Sequence, residues 1–247
     1  MYQRKSPKSI LHSKKDLSYA NSESLMKKIR EWGASNVGFA DLEGSVPKGW
    51  KHLKTGVSIA VRLSNIIIDE IRNGPTLTYA YHYRTTNQLL DLIAVKTSNL
   101  IQSLGYKALP IPASQTVNEK KLEGLISHKM VATRAGLGWI GKNLLLVTPQ
   151  SGPRVRLVSV LTDAPLRLSQ PVSKSKCGKC SLCVKACPAG ALTGVNWTVD
   201  VRREDLMEVN LCQEVTKRNL KIFGEAICGV CISVCPFGRT SKRDRRN

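Results

Sequence analysis

Eight cysteines fall between Cys177 and Cys235, and none lies in the preceding two thirds of the chain. The first group, "CGKCSLCVKACPAG", places Cys177, Cys180, Cys183 and Cys187 ahead of Pro188. The second comprises Cys212 and then "CGVCISVCPFG", with Cys228, Cys231 and Cys235 ahead of Pro236. Superposing C-x-x-C-x-x-x-C-P-x-G at Cys180 and at Cys228 aligns the two, so the segment is an internal repeat. Disulfides explain it poorly, because no export signal precedes it and a reducing compartment keeps thiols free. Metal ligation by soft thiolates is the chemistry that remains.

Zinc sites usually take two C-x-x-C knuckles from separate turns. Here three cysteines at three-residue spacing precede a fourth and a proline, which is the ligand run of bacterial ferredoxins with two [4Fe–4S] clusters. A cubane offers four iron corners. Tight turns wrap three of them, and the chain then leaves, turned away by proline, so that its next cysteine reaches the neighbouring cluster. The expected sets are therefore Cys177, Cys180 and Cys183 with Cys235, and Cys212, Cys228 and Cys231 with Cys187. The long gap between Cys212 and Cys228 implies an inserted loop or helix. Clusters so crossed lie close together and pass single electrons.

A bare ferredoxin needs far fewer than 247 residues. The remainder must position something else. "SESLMKKIREWG" puts Leu25, Met26, Ile29 and Trp32 on one face and ends at Gly33, which predicts a helix. "SNVGFADL" and "GVSIAVRL" read as strands. "TTNQLLDLIAVKTSNLIQSLG" carries the stripe Leu89, Leu90, Ile93, Leu100, Ile101 and Leu104, and predicts a longer helix. "YKALPIP" predicts a strand, and residues 117–134 a less regular helix. "NLLLVTP" and "RVRLVSVLTD" predict a hairpin around "QSGP". The expected class is α+β: a mixed α/β core at 21–170, a two-[4Fe–4S] ferredoxin-type domain at 171–239, a basic flexible leader at 1–20 and a basic tail at 240–247.

"AGLGWIGKN" spells G-x-G-x-x-G with Gly136, Gly138 and Gly141. A dinucleotide turn needs a strand before the glycines and a helix after them. Here a helical pattern precedes and an apolar strand-like run follows, so the nucleotide reading fails. The glycines suit either a sharp backbone turn or the close approach of a flat ligand.

The formal net charge is +20. Basic residues crowd both ends, which suits solvated termini, or an electrostatic footprint for RNA or an acidic electron donor. No apolar stretch is long enough for a membrane span. The leader lacks the apolar core of a secretory signal, so the expected location is the cytoplasm.

The run "ATRAGLGWIGKNLLLVTPQSGPRVRLVSVLTDAPL" followed by "CGKCSLCVKACPAGAL" resembles the epoxyqueuosine reductase family, over about Asn36 to Arg239. The resemblance implies a cobalamin-binding reductase core fused to a two-cluster ferredoxin domain, an architecture shared with reductive dehalogenases. It implies electrons from a soluble ferredoxin- or flavodoxin-type donor crossing the clusters to a corrinoid, and a substrate on tRNA. It places Gly136, Gly138, Trp139, Gly141, Lys142 and His82 near the corrinoid. Each also has a plainer role: Trp139 in the core, Lys142 in solvent, His82 at the entry to a helix. The family's proton-donating aspartate precedes the glycines by about fourteen residues, which here falls on Leu122, next to Glu123. The chain instead reads "LEGLISHKMVATRAG", and His128 and Lys129 fit a paralogous branch better than the tRNA enzyme itself. His128 titrates near neutrality and suits a proton donor, or a hydrogen-bonded structural position. Glu123 is the second candidate acid, or a surface helix residue. An electron carrier without its own substrate is the other reading of the cysteine domain.

Overall fold

The computed structural model describes residues 19–118 and 124–238. The core is a four-stranded sheet built from β1 (Asn36–Asp41), β2 (Thr55–Arg62), β3 (Ala108–Ile111) and the later strand Val155–Thr162, in the order β1, β2, Val155–Thr162, β3. Every pairing is antiparallel, with Phe39 opposite Val57, Ser58 opposite Ser159, and Leu109 opposite Leu161. Helices cover both faces, which is why "GVSIAVRL" is apolar without clean alternation. On one face, Phe39, Val57, Ile59, Val158 and Val160 pack against α1 (Tyr19–Glu31) and α3 (Leu77–Ser103) through Leu25, Ile29, Leu90, Ile93 and Ile101. Each such fully buried side chain stabilises the fold by about 1.5–3 kcal/mol relative to exposure.

The other face carries Ala40, Ala60 and Leu161 against Val131 and Ala132 of α4 (His128–Arg134). This helix lies close to the sheet because Gly38 and Gly56 stand beneath it. A methyl at Gly56 would meet Val131 Cγ1 at 2.9 Å, and one at Gly38 would run into the Ala135 carbonyl. Between β2 and α3 lies α2 (Asn65–Glu70), tied down by Arg154. That guanidinium is 1% exposed, donates to Asp69 at 2.6 Å and to Asn65 Oδ1 at 3.2 Å.

Two sequence expectations change here. The helix expected over 117–134 is confined to α4; the part of that range described ahead of it is turn and loop, and Ser127 caps α4 by accepting from Met130 N. The expected hairpin closes only as the single antiparallel bridge Thr148–Gly152. Leu146–Val147 (β5) pairs instead with Trp139–Ile140 (β4), and Val155–Thr162 is β6 of the main sheet. Asn143 Oδ1 accepts from Leu145 N and Leu144 takes φ +57°, so the chain turns there and only two residues remain to pair.

The cysteine segment adds three short helices, α5 (Leu182–Lys185), α6 (Arg203–Leu206) and α8 (Val230–Ser233), and the longer α7 (Val209–Phe223). The insertion between Cys212 and Cys228 is α7 itself, closed by Gly224 at φ +71°. The chain is thus α+β, a mixed core carrying a C-terminal ferredoxin-type domain. No described helix is long and apolar enough to cross a membrane. The expected leader lies almost wholly outside the described residues, and the tail entirely so.

Candidate metal centres and the cleft beside them

Cys177, Cys180, Cys183 and Cys235 line one small cavity. Cys177 and Cys180 come from the turn that leads into α5, where Cys180 N–H donates to Cys177 O at 3.1 Å, and Cys183 from α5 itself. The fourth arrives from the far end of α8. Cys187, Cys212, Cys228 and Cys231 line a second, larger cavity of about 570 Å³. The structure thus lines one cavity with Cys235 and the first three cysteines, and the other with Cys187 and the remaining three.

Burial is the first cause that pushes the Cys235 thiol up to about 12, with Cys177, Cys183 and Cys180 adding to it. Burial likewise pushes Cys183, Cys212, Cys228 and Cys231 up, and neighbouring thiols add to each. Thiolates so crowded and desolvated repel one another. A cationic core with four corners per set removes that cost and releases their protons. The donor chemistry and its grouping thus fit two iron–sulfur cubanes.

Residues 142 and 143 sit between the two sets. Lys142, 7% exposed, reaches the first cavity and donates through Nζ to Gly178 O at 2.9 Å. Asn143 lines both cavities and donates to Cys231 O at 3.4 Å. The core and the cysteine domain also interlock by backbone. A methyl on Gly152 would fall on Phe237 O, and one on Gly238 on Ser151 O.

A cleft runs between the core and the cysteine domain. Three cavities of about 870, 750 and 570 Å³ share Lys129 of α4 and Arg203 of α6 in their walls. Lys129 Nζ donates to Leu144 O at 2.7 Å. Burial, and secondarily Arg203, bring its pKa down to about 8. Arg156 donates to Asn87 Oδ1 at 2.9 Å and to Tyr83 Oη at 3.0 Å, and its guanidinium lies 4.2 Å from the Tyr83 ring centre.

The expected site residues separate into groups. Gly136, Gly138 and Gly141 have protein on the side where a side chain would point: the Gln170 carbonyl at 2.6 Å, the Val147 carbonyl, and Asn143 Oδ1 at 2.6 Å, respectively. They permit backbone to approach backbone. Trp139 is 2% exposed and packs edge-on to Phe237 at 5.0 Å, and its Nε1 is buried without a protein partner. It belongs to the packing group that includes Cys177, on the cluster side of the cleft. His82 accepts from Ser64 N through Nε2 at 3.0 Å, on α3 and not at its entry loop. His128 lines the cleft, but both nitrogens are engaged. Nε2 donates to Pro112 O at 3.0 Å, and Nδ1 takes the Ser159 hydroxyl at 2.9 Å. Burial lowers its pKa, so the neutral ring is favoured. Glu123 lies outside the described residues.

Sequence reasoning passed over Asn143, Arg156 and Arg203, and gave Lys129 no role of its own. The adjacency of Lys129 to His128 was the only available signal. Arg156 and Arg203 sit in segments whose pattern predicts strand and loop, with nothing to point them at a cleft.

Residues 176–238 match the 4Fe-4S double cluster binding domain family. The protein therefore carries two [4Fe–4S] clusters. Among curated relatives, the epoxyqueuosine reductase of Escherichia coli (strain K12) is 31% identical over 198 residues, covering 74% of this chain and 49% of that one. The chain spans about a third to a half of the length of the curated relatives it matches. Among solved structures, a reductive dehalogenase described as suggesting a mechanism for B12-dependent dehalogenation aligns with TM-score 0.73 and 19% identity, over 94% of this chain and 34% of that one. An epoxyqueuosine reductase crystallised with an epoxyqueuosine-modified tRNA stem loop aligns with TM-score 0.58 and 21% identity, over 89% and 66%. These two share the fold.

Proposed function

We propose that this chain, which resembles the epoxyqueuosine reductases and carries two [4Fe–4S] clusters, reduces a ligand held in the cleft between its core and its cluster domain. One observation carries the reading: a single cavity has Cys187, Cys212, Cys228 and Cys231 on one wall and Tyr79, Tyr83, Lys129 and Arg156 of the core on the other. A group bound there is next to the second cluster without leaving the protein.

In this reading Cys177, Cys180, Cys183 and Cys235 hold the first cluster, and Cys187, Cys212, Cys228 and Cys231 the second. When bound, the clusters supply single-electron transfer at potentials tuned by nearby charge and hydrogen bonds. Lys142 places positive charge at the first site. Asn143 fixes the backbone of Cys231 and so the second site. The interlock of Gly152 with Phe237 keeps the cluster domain seated on the core. An acidic soluble donor, of ferredoxin or flavodoxin type, suits a chain of formal charge +20.

The cleft also suits a corrinoid. Its wall mixes apolar residues (Ile111, Leu145, Leu157) with the amide and hydroxyl groups of Gln115, Ser114 and Ser127, as an amide-rimmed macrocycle requires. When bound, a corrinoid supplies a strongly reducing cobalt centre. The protein's part would be to exclude water with the apolar wall and to hold protons at Lys129 Nζ. Titrating anaerobic, cluster-loaded protein with cobalamin tests this. A change in the corrin absorption spectrum that saturates at one equivalent supports the reading, and an unchanged spectrum removes the corrinoid from it.

A tRNA substrate is the second reading, favoured by the names of the curated relatives and by the basic charge. It requires RNA binding that weakens steeply and linearly on a log–log salt plot.

A further inference from the structure

We infer that the turn carrying Cys177 and Cys180 is the docking surface for an acidic, protein-borne single-electron carrier, and that Lys176, Lys179 and Lys185 recruit it. The inference rests on the two-cluster reading above and adds the place where electrons enter.

The two thiol sets differ in what surrounds them. Cys187, Cys212, Cys228 and Cys231 open into the cleft, whereas Cys177, Cys180, Cys183 and Cys235 line none of its three cavities. Apart from the thiols, the first set is walled by Lys142, Asn143, Val147 and Phe237. The first three of these are buried and close the set off on the side of the core. The turn itself is open. Gly178 is exposed, takes φ +56° and has nothing within 4 Å of an added methyl. Its tip, between Cys177 and Lys179, is therefore bare backbone that another protein can approach closely. The turn is also held in place. Gly178 O accepts from Lys142 Nζ at 2.9 Å and from Asn196 Nδ2 at 3.1 Å, and Cys177 N–H donates to Ser175 Oγ at 3.2 Å. A preordered surface loses little entropy when a partner docks.

The chemistry around the turn names the partner. Lys174, Lys176, Lys179 and Lys185 are exposed along 174–185, a segment whose sequence contains no acidic residue. Leu182, 49% exposed on α5, adds an apolar contact. Exposed lysines beside a small apolar spot speed the encounter with an acidic partner. A carrier that must leave after each electron needs such a small, weak interface. RNA suits the surface less well. The segment 174–185 has no aromatic side chain on which a base could stack, and Trp139, 5.8 Å from Lys176 Nζ, is buried. One electron leaves the reduced carrier for the first cluster, with no bond made or broken.

The test has two readouts on anaerobic, cluster-loaded protein, with an acidic flavodoxin in its hydroquinone form as the probe. In stopped flow, Lys176→Glu/Lys179→Glu lowers the second-order rate of cluster reduction at least tenfold at low salt. The difference shrinks to within about threefold at 0.5 M salt, where charges are screened. Lys48→Glu/Lys51→Glu, the same change of charge on exposed lysines of the core, stays within about threefold of wild type. Photoreduction by 5-deazaflavin, a small reductant, runs at the wild-type rate in every variant, which separates a docking defect from a damaged cluster. The second readout needs no variant. Carbodiimide treatment of wild-type protein with flavodoxin joins Lys176, Lys179 or Lys185 to carboxylates of the carrier, and mass spectrometry locates the links. An unchanged rate in Lys176→Glu/Lys179→Glu, an equal loss in the core pair, or cross-links confined to other lysines overturns the proposal. So does a variant that loses affinity for a tRNA stem loop while keeping its rate with flavodoxin. Neither readout requires a ligand in the cleft, so failure here is separate from failure of the cobalamin titration.

Discussion

Replacing Gly152 by alanine measures the seating of the cluster domain on the core. Gly152 has φ +55°, and an added methyl would fall on the carbonyl of Phe237, two residues beyond Cys235. Gly44 supplies the control: its φ is +73°, with nothing within 4 Å of an added methyl. The left-handed backbone costs a non-glycine residue about 1–2 kcal/mol. Forcing packed groups apart adds about 1–3 kcal/mol. Gly44→Ala should thus lose about 1–2 kcal/mol and Gly152→Ala about 2–5 kcal/mol. For a chain of this size, 1 kcal/mol moves Tm by about 2–4 °C. The assay is thermal unfolding of anaerobic holoprotein, followed by circular dichroism, with iron counted after a fixed time in chelator. Gly152→Ala should melt several degrees below Gly44→Ala and lose iron faster, because Phe237 carries the displacement toward Cys235. Equal melting and equal iron retention in the two variants would refute the interlock.

Two other perturbations follow from the same geometry. Lys142→Met removes a buried positive charge from beside the first thiol set, so the more negative reduced cluster loses stabilisation. Its midpoint in a potentiometric titration should shift downward while the second cluster's holds, and an unmoved first midpoint contradicts the placement. His128 and His82 both have pKa values lowered by burial from 6.5. Below that value the unfolded chain takes up protons that the folded chain refuses, so stability falls as pH drops through it and is fully present above it. His128→Gln should flatten this acid loss in denaturant titrations between pH 7 and 5, and an unaltered slope contradicts the neutral, doubly bonded ring.

Where local pattern and tertiary demand agree, the sequence was legible. The stripe from Leu89 to Leu104 is half of α3, and the apolar run around Val57 is a central strand, because each buries the face its period presents. The cysteine repeat was the clearest part, since ligand spacing is dictated by cluster geometry and not by the surroundings. Cys235 lines the same cavity as Cys177, Cys180 and Cys183. The failures lie where tertiary contacts override the pattern. No periodicity marks Leu144 as a left-handed residue, yet it takes φ +57° in the turn between β4 and β5. The glycines of "AGLGWIGKN" could be read as a turn or a ligand cradle; what decides is Val147 and Gln170, whose carbonyls lie against them. The cleft itself was hidden, because Lys129, Arg156 and Arg203 come from three distant segments and meet only after the cluster domain folds back over α4.

Crossed ligation means thiols exchanged between two cubanes. Electron paramagnetic resonance of reduced Cys235→Ser, compared with Cys180→Ser and Cys231→Ser, tests it most directly, alongside iron and acid-labile sulfide analysis. The wild-type protein should hold about eight iron atoms. The spectrum of Cys235→Ser should match the changes in Cys180→Ser and leave the signal lost in Cys231→Ser intact. If Cys235→Ser alters the same cluster as Cys231→Ser, the crossing is contradicted. Zinc in place of iron, at about two atoms per chain, would contradict the clusters themselves.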